Sequence, residues 1–170
     1  TMNLILLGLR GPAANLLWID LDHAKDTKNW SKCLALTNSI ILLQPHFQKV
    51  WVFNGWNLAY NISSEWDDVR DRYLWVKEGA KFFRKGTGVN NRFTELFWYT
   101  GDTLGKKLGR SDEWEYFRKF FLQDPDPKFN VNNEPGPDTD LNPDRKDNYA
   151  VAKEWYVLAR DKHKSPKSVP

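Results

Sequence analysis

Pro45 is followed six residues later by Trp51, and Trp51 four residues later by Gly55. A proline at that point closes a helix, because it disfavours helical backbone at Gln44 and has no N–H to donate. Trp51 and Gly55 then fall one turn apart on one face of the next helix, a large ring beside a position with no side chain. The pattern recurs: Phe97 and Gly101 stand four apart, and Pro125 lies 24 residues beyond Gly101. Large residue, glycine one turn on and helix-ending proline, repeated, describe an array of helical hairpins that gains its core by stacking. An array of that kind serves to hold something, and the sequence does not say what.

Composition agrees and removes several classes. With 170 residues, 41% hydrophobic and nine tryptophans, the chain can bury a substantial core in one domain, and large rings suit thick helix–helix interfaces. The net charge of +3 comes from both signs mixed along the chain, with no basic stripe, which argues against nucleic acid as a partner. The single cysteine, Cys33, excludes an internal disulfide and sits on an apolar helical stripe with Leu36 and Ile40, as a buried small hydrophobe does.

The pass along the chain yields helices and turns. Residues 2–9, MNLILLGL, form an apolar run too short to span a bilayer and without a signal peptide's charged start. Two readings stay open for it: the tail of a preceding membrane helix, or a buried first helix. Pro12 fits the first position of a helix over 12–25, with Leu16, Leu17, Ile19 and His23 on or near its apolar side. A second helix covers 30–43 through Cys33, Leu36, Ile40 and Leu43. The second hairpin runs from His46 to Ile62 and returns from the 64–72 region to about Lys85 through Val76, Ala80 and Phe83, with Gly86 and Gly88 ending it. The third pairs 94–108 with 112–121; Gly109 stops the first helix, Ser111 caps the second, and Trp114, Phe117 and Phe121 point inward.

Three hairpins therefore occupy residues 1–123. Residues 124–146, with five prolines and few apolar side chains, read as an ordered loop or linker outside the core. Residues 147–170 hold a last helix and tail, with Tyr149, Ala152, Tyr156 and Ala159 on one face and Trp155 beside them, as the first half of a fourth hairpin. The expected fold is all-α with no strand pairing.

The spacing around Trp51 and Gly55 resembles a tetratricopeptide (TPR) repeat junction. The segments LLGLRGPAANLLWIDLDHA, QPHFQKVWVFNGWNLAYNISSEWDD, RYLWVKEGAKFFRKG, ELFWYTGDTLGKKLGRSDE and KDNYAVAKEWYVLA are similar to a family of TPR-like proteins of planctomycetes and verrucomicrobia. The strings NLAYN at 57–61 and GKKLG at 105–109 carry most of that likeness. The resemblance implies antiparallel hairpins stacked in a right-handed superhelix, a membrane-spanning helix before the LGLRG stretch, and further chain after Lys164. It implies no activity.

Catalytic constellations are weak. His23, His46 and His163 are scattered, and none has a second histidine at ligand spacing. Ser63, Ser64, Glu65, Asp67 and Asp68 offer hydroxyls and carboxylates with no base placed to activate them, and read as a capping segment. Gly86 and Gly88 lack the rest of a dinucleotide fingerprint. Asp138, Asp140, Asn142 and Asp144 alternate as calcium ligands do, but Pro143 replaces the turn glycine and Tyr149 stands where glutamate closes such a loop. No enzyme, metal or cofactor is expected.

Two function classes remain. The first is a scaffold gripping other protein subunits or an extended peptide, associated with a membrane surface through a segment N-terminal to Thr1, on a side Arg10 alone does not decide. Its contact candidates are Asn54, Asn57 and Asn61, at 3–4 spacing on one helix face, and Trp155 and Tyr156. The asparagine ladder either bonds a partner or satisfies buried groups between hairpins. The alternative is a binder of a pigment, lipid or quinone, lined by Trp51, Trp56, Trp66, Trp75 and Trp98.

Overall fold

Helix breakers and caps set most of the element boundaries. The computed structural model describes the backbone of residues 2–164 and the side chains of residues 11–164. It is mostly helical, with α1 Met2–Asp26, α2 Trp30–Leu43, α3 Gln48–Trp56, α4 Val69–Val89, α5 Thr94–Asp102, a short α6 Leu108–Arg110, α7 Trp114–Leu122 and α8 Asn148–Lys164. The chain divides into two compact units, Thr1–Asn54 and Gly55–Pro170.

In the first unit α1 and α2 pack as a hairpin. Lys28 takes a left-handed turn (φ 53°), and Asn29 caps α2 by accepting from Lys32 N at 3.1 Å. The buried stripe of α1 is Ala14, Leu21 and Ala24, with Cys33, Thr37 and Ile40 buried on α2. That stripe is rotated from the expected one, so Leu16 and Ile19 face solvent, each 67% exposed, and His23 is exposed too. Pro12 also departs from expectation: α1 continues N-terminally past it, which places the proline inside the helix. Pro45 ends α2 as expected, and the buried Trp51 ring reaches back to it, Nε1 donating to Pro45 O at 2.9 Å.

The second unit contains two π-helical stretches, each carrying on from an α-helix. Asn57–Ile62 follows α3, and Thr103–Lys107 follows α5. They begin 46 residues apart, as do Gly55 and Gly101 before them and Ala59 and Gly105 within them. Hydroxyls take the helix's own carbonyls around both: Ser63 Oγ donates to Ala59 O, Thr100 Oγ1 to Leu96 O and Thr103 Oγ1 to Tyr99 O, at 2.7–2.8 Å. Such back-bonding loosens the regular ladder.

The packing partners correspond as well. A methyl group at Gly79 of α4 would lie 2.7 Å from Ala59 Cβ and 2.8 Å from Gly55 O, and one at Gly55 would strike the Phe83 ring at 2.5 Å. Against α8, one at Gly105 of the second π stretch would lie 3.2 Å from Ala152 Cβ, and one at Gly101 of α5 3.1 Å from Ala152 O. Gly79 and Phe83 are one turn apart on α4, as Ala152 and Tyr156 are on α8. The last helix thus packs on α5 and the stretch after it as α4 packs on the first π stretch.

Two expected stops do not occur. Gly86 and Gly88 stay helical, no described glycine has positive φ, and α4 ends at Val89, capped by Asn90, whose N–H bonds Gly86 O at 2.8 Å. The helical path from Thr94 continues through Gly109 to Arg110. The glycine there admits the Tyr149 ring, which a methyl group would meet at 2.6 Å. Ser111 does not cap α7 through its side chain; its buried Oγ has no partner among the described residues, and Glu113 holds the cap position. Phe117 and Phe121 are buried as expected, whereas Trp114 is 41% exposed. Asp68 caps α4 by accepting from Arg70 N at 2.7 Å.

Residues 124–146 differ most from expectation. A two-residue antiparallel ladder pairs Asn130–Val131 (β1) with Glu134–Pro135 (β2), turning through left-handed Asn132 and Asn133. The segment also enters the core: Leu141, Asp124, Asp138 and Asn142 are all buried, Leu141 in one cluster with Val76, Phe117 and Phe121. Lys77, 1% exposed, reaches Asp124 at 2.8 Å and Asp138 at 3.6 Å, with the Phe129 ring 4.7 Å from its ammonium. Lys81 bridges Asp138 at 3.0 Å and Asp140 at 2.9 Å. A loop poor in apolar residues is fastened by charge.

Two sets of substitutions test this packing by urea unfolding. Gly79→Ala should destabilise by about 3 kcal/mol, because its methyl group meets backbone, while Gly88→Ala, with nothing within 4 Å, should stabilise by about 0.5–1 kcal/mol. Equal effects at the two glycines would refute the close-approach reading. Asp124→Ala should destabilise by about 3–5 kcal/mol by stranding Lys77, and Lys77→Met with Asp124→Leu should recover most of that. No recovery in the double variant would mean that the pair fixes the loop by more than mutual neutralisation.

Candidate functional site

Because Gly105 and Ala152 carry almost no side chain, the seam between α8 and the second π stretch is open on its outer side. A cavity of about 460 Å³ lies there, floored by Gly105, Ala152 and Tyr156 and banked by Lys106, Arg110 and Lys153. A second cavity of about 430 Å³ continues it along α8 past Trp98, Ala159 and Lys164. The two share Tyr156 and Arg160 and form one groove along the helix pair.

The groove is held in shape from below. Asp102, 6% exposed, accepts from the Tyr156 hydroxyl at 3.2 Å and pairs with Lys106 Nζ at 2.9 Å. The Lys106 ammonium sits 5.5 Å from the Trp98 ring centre, and Trp98 lies 6.3 Å from Tyr156. At the start of α8, Asn148 Nδ2 donates to Leu104 O at 2.8 Å and Tyr149 Oη to Gly109 O at 2.7 Å. Arg118 adds bonds to Asp147 at 2.7 Å and Asn148 at 3.1 Å. The second π stretch and the last helix are therefore locked together at one end, with the groove running away from the lock.

Burial raises the Tyr156 hydroxyl to about 12, helped by the Asp102 charge and the hydrogen bond to it. Burial likewise raises Tyr60 to about 12, with Asp102 next in effect. Lys107, over the Tyr60 ring at 5.1 Å, is lowered by burial. The chemistry available along the groove is cationic and aromatic, suited to gripping.

The contact candidates separate. Asn54 and Asn57 are 1% and 2% exposed, so the ladder faces inward; Asn57 Oδ1 accepts from Asn61 Nδ2 at 2.5 Å, and only Asn61 is half-buried. Asn54 Oδ1 and Asn57 Nδ2 have no hydrogen-bond partner among the described residues. Trp155 is half-buried with its ring 6.0 Å from Phe97, while Tyr156 forms the groove floor. Sequence reasoning missed Lys106, Arg110, Lys153 and Arg160, which lie on two stretches far apart in the chain, the second π stretch with α6 and α8. The signal available was the GKKLG string beside a helix with small residues on its inner face.

The aromatic binder set is dispersed: Trp51 is buried in the first unit, and in the second Trp56 stacks on Tyr60 at 4.0 Å, Trp66 on Trp75 at 6.3 Å, and Trp98 walls the groove. In the calcium pattern, Asp138 and Asp140 are engaged by Lys81, and Asp144 by Lys146 at 2.8 Å. Asn142 bonds the backbone of Lys146 with both side-chain atoms, at 2.8 Å each. Among the described residues no group of three or more His, Cys, Asp or Glu is placed to hold a metal. Burial raises the Cys33 thiol pKa, which disfavours its thiolate. Among the described residues no helix is long and apolar enough to cross a membrane.

The fold and site define a mostly helical chain with a cation-banked groove between two packed helices. No family model, curated protein or solved structure matches it.

Tyr156 supplies a direct check on the groove floor. Both tyrosines are raised above the ordinary 10.0, so the fold favours their neutral forms; that stability is full below pH 10 and lost as pH rises toward 12. A phenolate absorbance titration should show at least two hydroxyls ionising near 12, and Tyr156→Phe should remove one and soften the alkaline loss of stability. An unchanged titration in that variant would place the Tyr156 hydroxyl in water.

Proposed function

We propose that the chain is a non-catalytic helical-repeat scaffold, TPR-like in arrangement, that holds another protein along the groove between α8 and the second π stretch. The observation that carries this reading is the groove itself: two joined cavities on a rigid helix pair, open to solvent, with a floor of small and aromatic residues. Supporting the repeat is the 46-residue recurrence of glycine, π stretch and small-residue seam. The likeness to membrane-anchored TPR-like proteins further supports a place in a membrane-associated complex, with this array in the aqueous space beside it.

Site-specific photo-cross-linking in the cell of origin tests the proposal. A cross-linking residue at Val157, on the groove wall, should give a discrete protein adduct, whereas one at Leu42, 83% exposed on α2, should give none. No adduct from Val157, or the same products from both positions, would overturn it.

A further inference from the structure

We infer that the groove takes an acidic peptide segment, carboxylates on its banks and an apolar side chain on its floor. This rests on the reading of the groove as a protein-binding site and names the chemistry of its partner. Lys106 and Arg110 stand one turn apart on one bank; Lys153 and Arg160 stand two turns apart on the other. His163 and Lys164 extend the second bank into the adjoining cavity.

The opposing charges are mostly engaged. Asp102 lies beneath the floor and is held by Lys106 and Tyr156, Asp161 pairs with Arg160 at 2.9 Å, and Glu154 with Lys146 at 2.7 Å. Glu95 is the acidic residue lining the far cavity. Arg110 and Lys153, both exposed, carry no ion pair among the described residues, so a ligand's carboxylates meet cations with no internal partner to displace.

Dimensions agree with a peptide. From Tyr149 to Lys164 the helix rises about 23 Å, the length of about seven extended residues. Between the banks, Gly105 and Ala152 leave the room of about 460 Å³, and the Tyr156 ring beside them offers an apolar and aromatic face. Carboxylates on the banks fix register and direction, and a side chain in the floor supplies buried apolar area. A polyanion without apolar side chains would satisfy the banks and leave the floor wet.

The test uses the whole chain and a fluorescein-labelled peptide of about twelve residues, glutamate throughout with one central leucine, followed by anisotropy. Binding should be saturable, weaken with added salt, and drop at least tenfold in Arg110→Glu/Lys153→Glu. It should persist in Lys32→Glu/Lys49→Glu, where exposed cations of the first unit are reversed. Replacing the central leucine by glutamate should weaken binding several-fold, although charge alone would tighten it.

Helical circular dichroism and thermal midpoint should be unchanged in both double variants, since all four side chains are exposed. No binding at low salt would overturn the inference. So would equal binding of a lysine peptide, or tighter, equally variant-sensitive binding of heparin or of phosphatidylserine vesicles. If the Val157 adduct forms while the acidic peptide neither binds nor competes, the partner chemistry is wrong and the scaffold reading survives; if neither is seen, both fall.

Discussion

Close approach of helix backbones at small residues governs the second unit. Where α4 meets the first π stretch, Gly79 faces Ala59 and Gly55 so tightly that a methyl group would lie within 2.8 Å of main-chain atoms. Helices brought this near exclude large side chains from the seam and push them to its flanks. There Phe83 stacks on Tyr99 at 5.3 Å, and Trp56 on Tyr60 at 4.0 Å. The aromatic load is thus a consequence of the glycines: rings fill the wedges beside a narrow line of contact. The π stretches belong to the same design, because an extra residue in the turn shifts which side chains face the neighbour.

Between α5 and α8 the chain detours through α7 and the 124–146 segment, and charge holds that detour in place. Lys77 and Lys81 project from α4 one turn apart and collect Asp124, Asp138 and Asp140. Tyr73, a turn before Lys77, donates to Phe120 O at 3.1 Å and to Asp124 at 3.4 Å; burial and the Asp124 charge raise its hydroxyl well above the ordinary range. Burying a lysine is tolerable when carboxylates surround it and ruinous when they are removed. The cluster therefore fixes where the segment lies more than it adds to stability, and so sets where α8 begins.

The helices were legible in the sequence because breakers and periodicity agree there: α2 falls on residues 30–43 as expected, and α8 begins one residue later than expected. Legibility failed where tertiary contact overrode local preference. Gly86, Gly88 and Gly109 read as stops, yet they lie within helices whose neighbours need or tolerate the missing side chain. The acidic alternation from Asp138 to Asp144 looked outward to a cation; its first two carboxylates instead both meet Lys81, 57 and 59 residues earlier in the chain, a distance no local pattern spans. The groove was invisible for the same reason, since Arg110 and Lys153 become neighbours only when α8 docks.

The small-residue seam has a different outcome at its two occurrences. On α4 the partner surface is glycine against alanine with Phe83 over Gly55, and the wedge is filled by aromatic side chains from within the unit. On α8 the corresponding ring is Tyr156, whose hydroxyl is drawn down to Asp102, so the ring lies along the floor and leaves the outer wedge open. Phenylalanine at that position would have no hydroxyl for Asp102 to hold. That oxygen and the buried carboxylate anchoring it distinguish this seam from the one on α4. Lysines and arginines stand on both banks of that groove because long cationic side chains can border a cavity while keeping their charged ends in water.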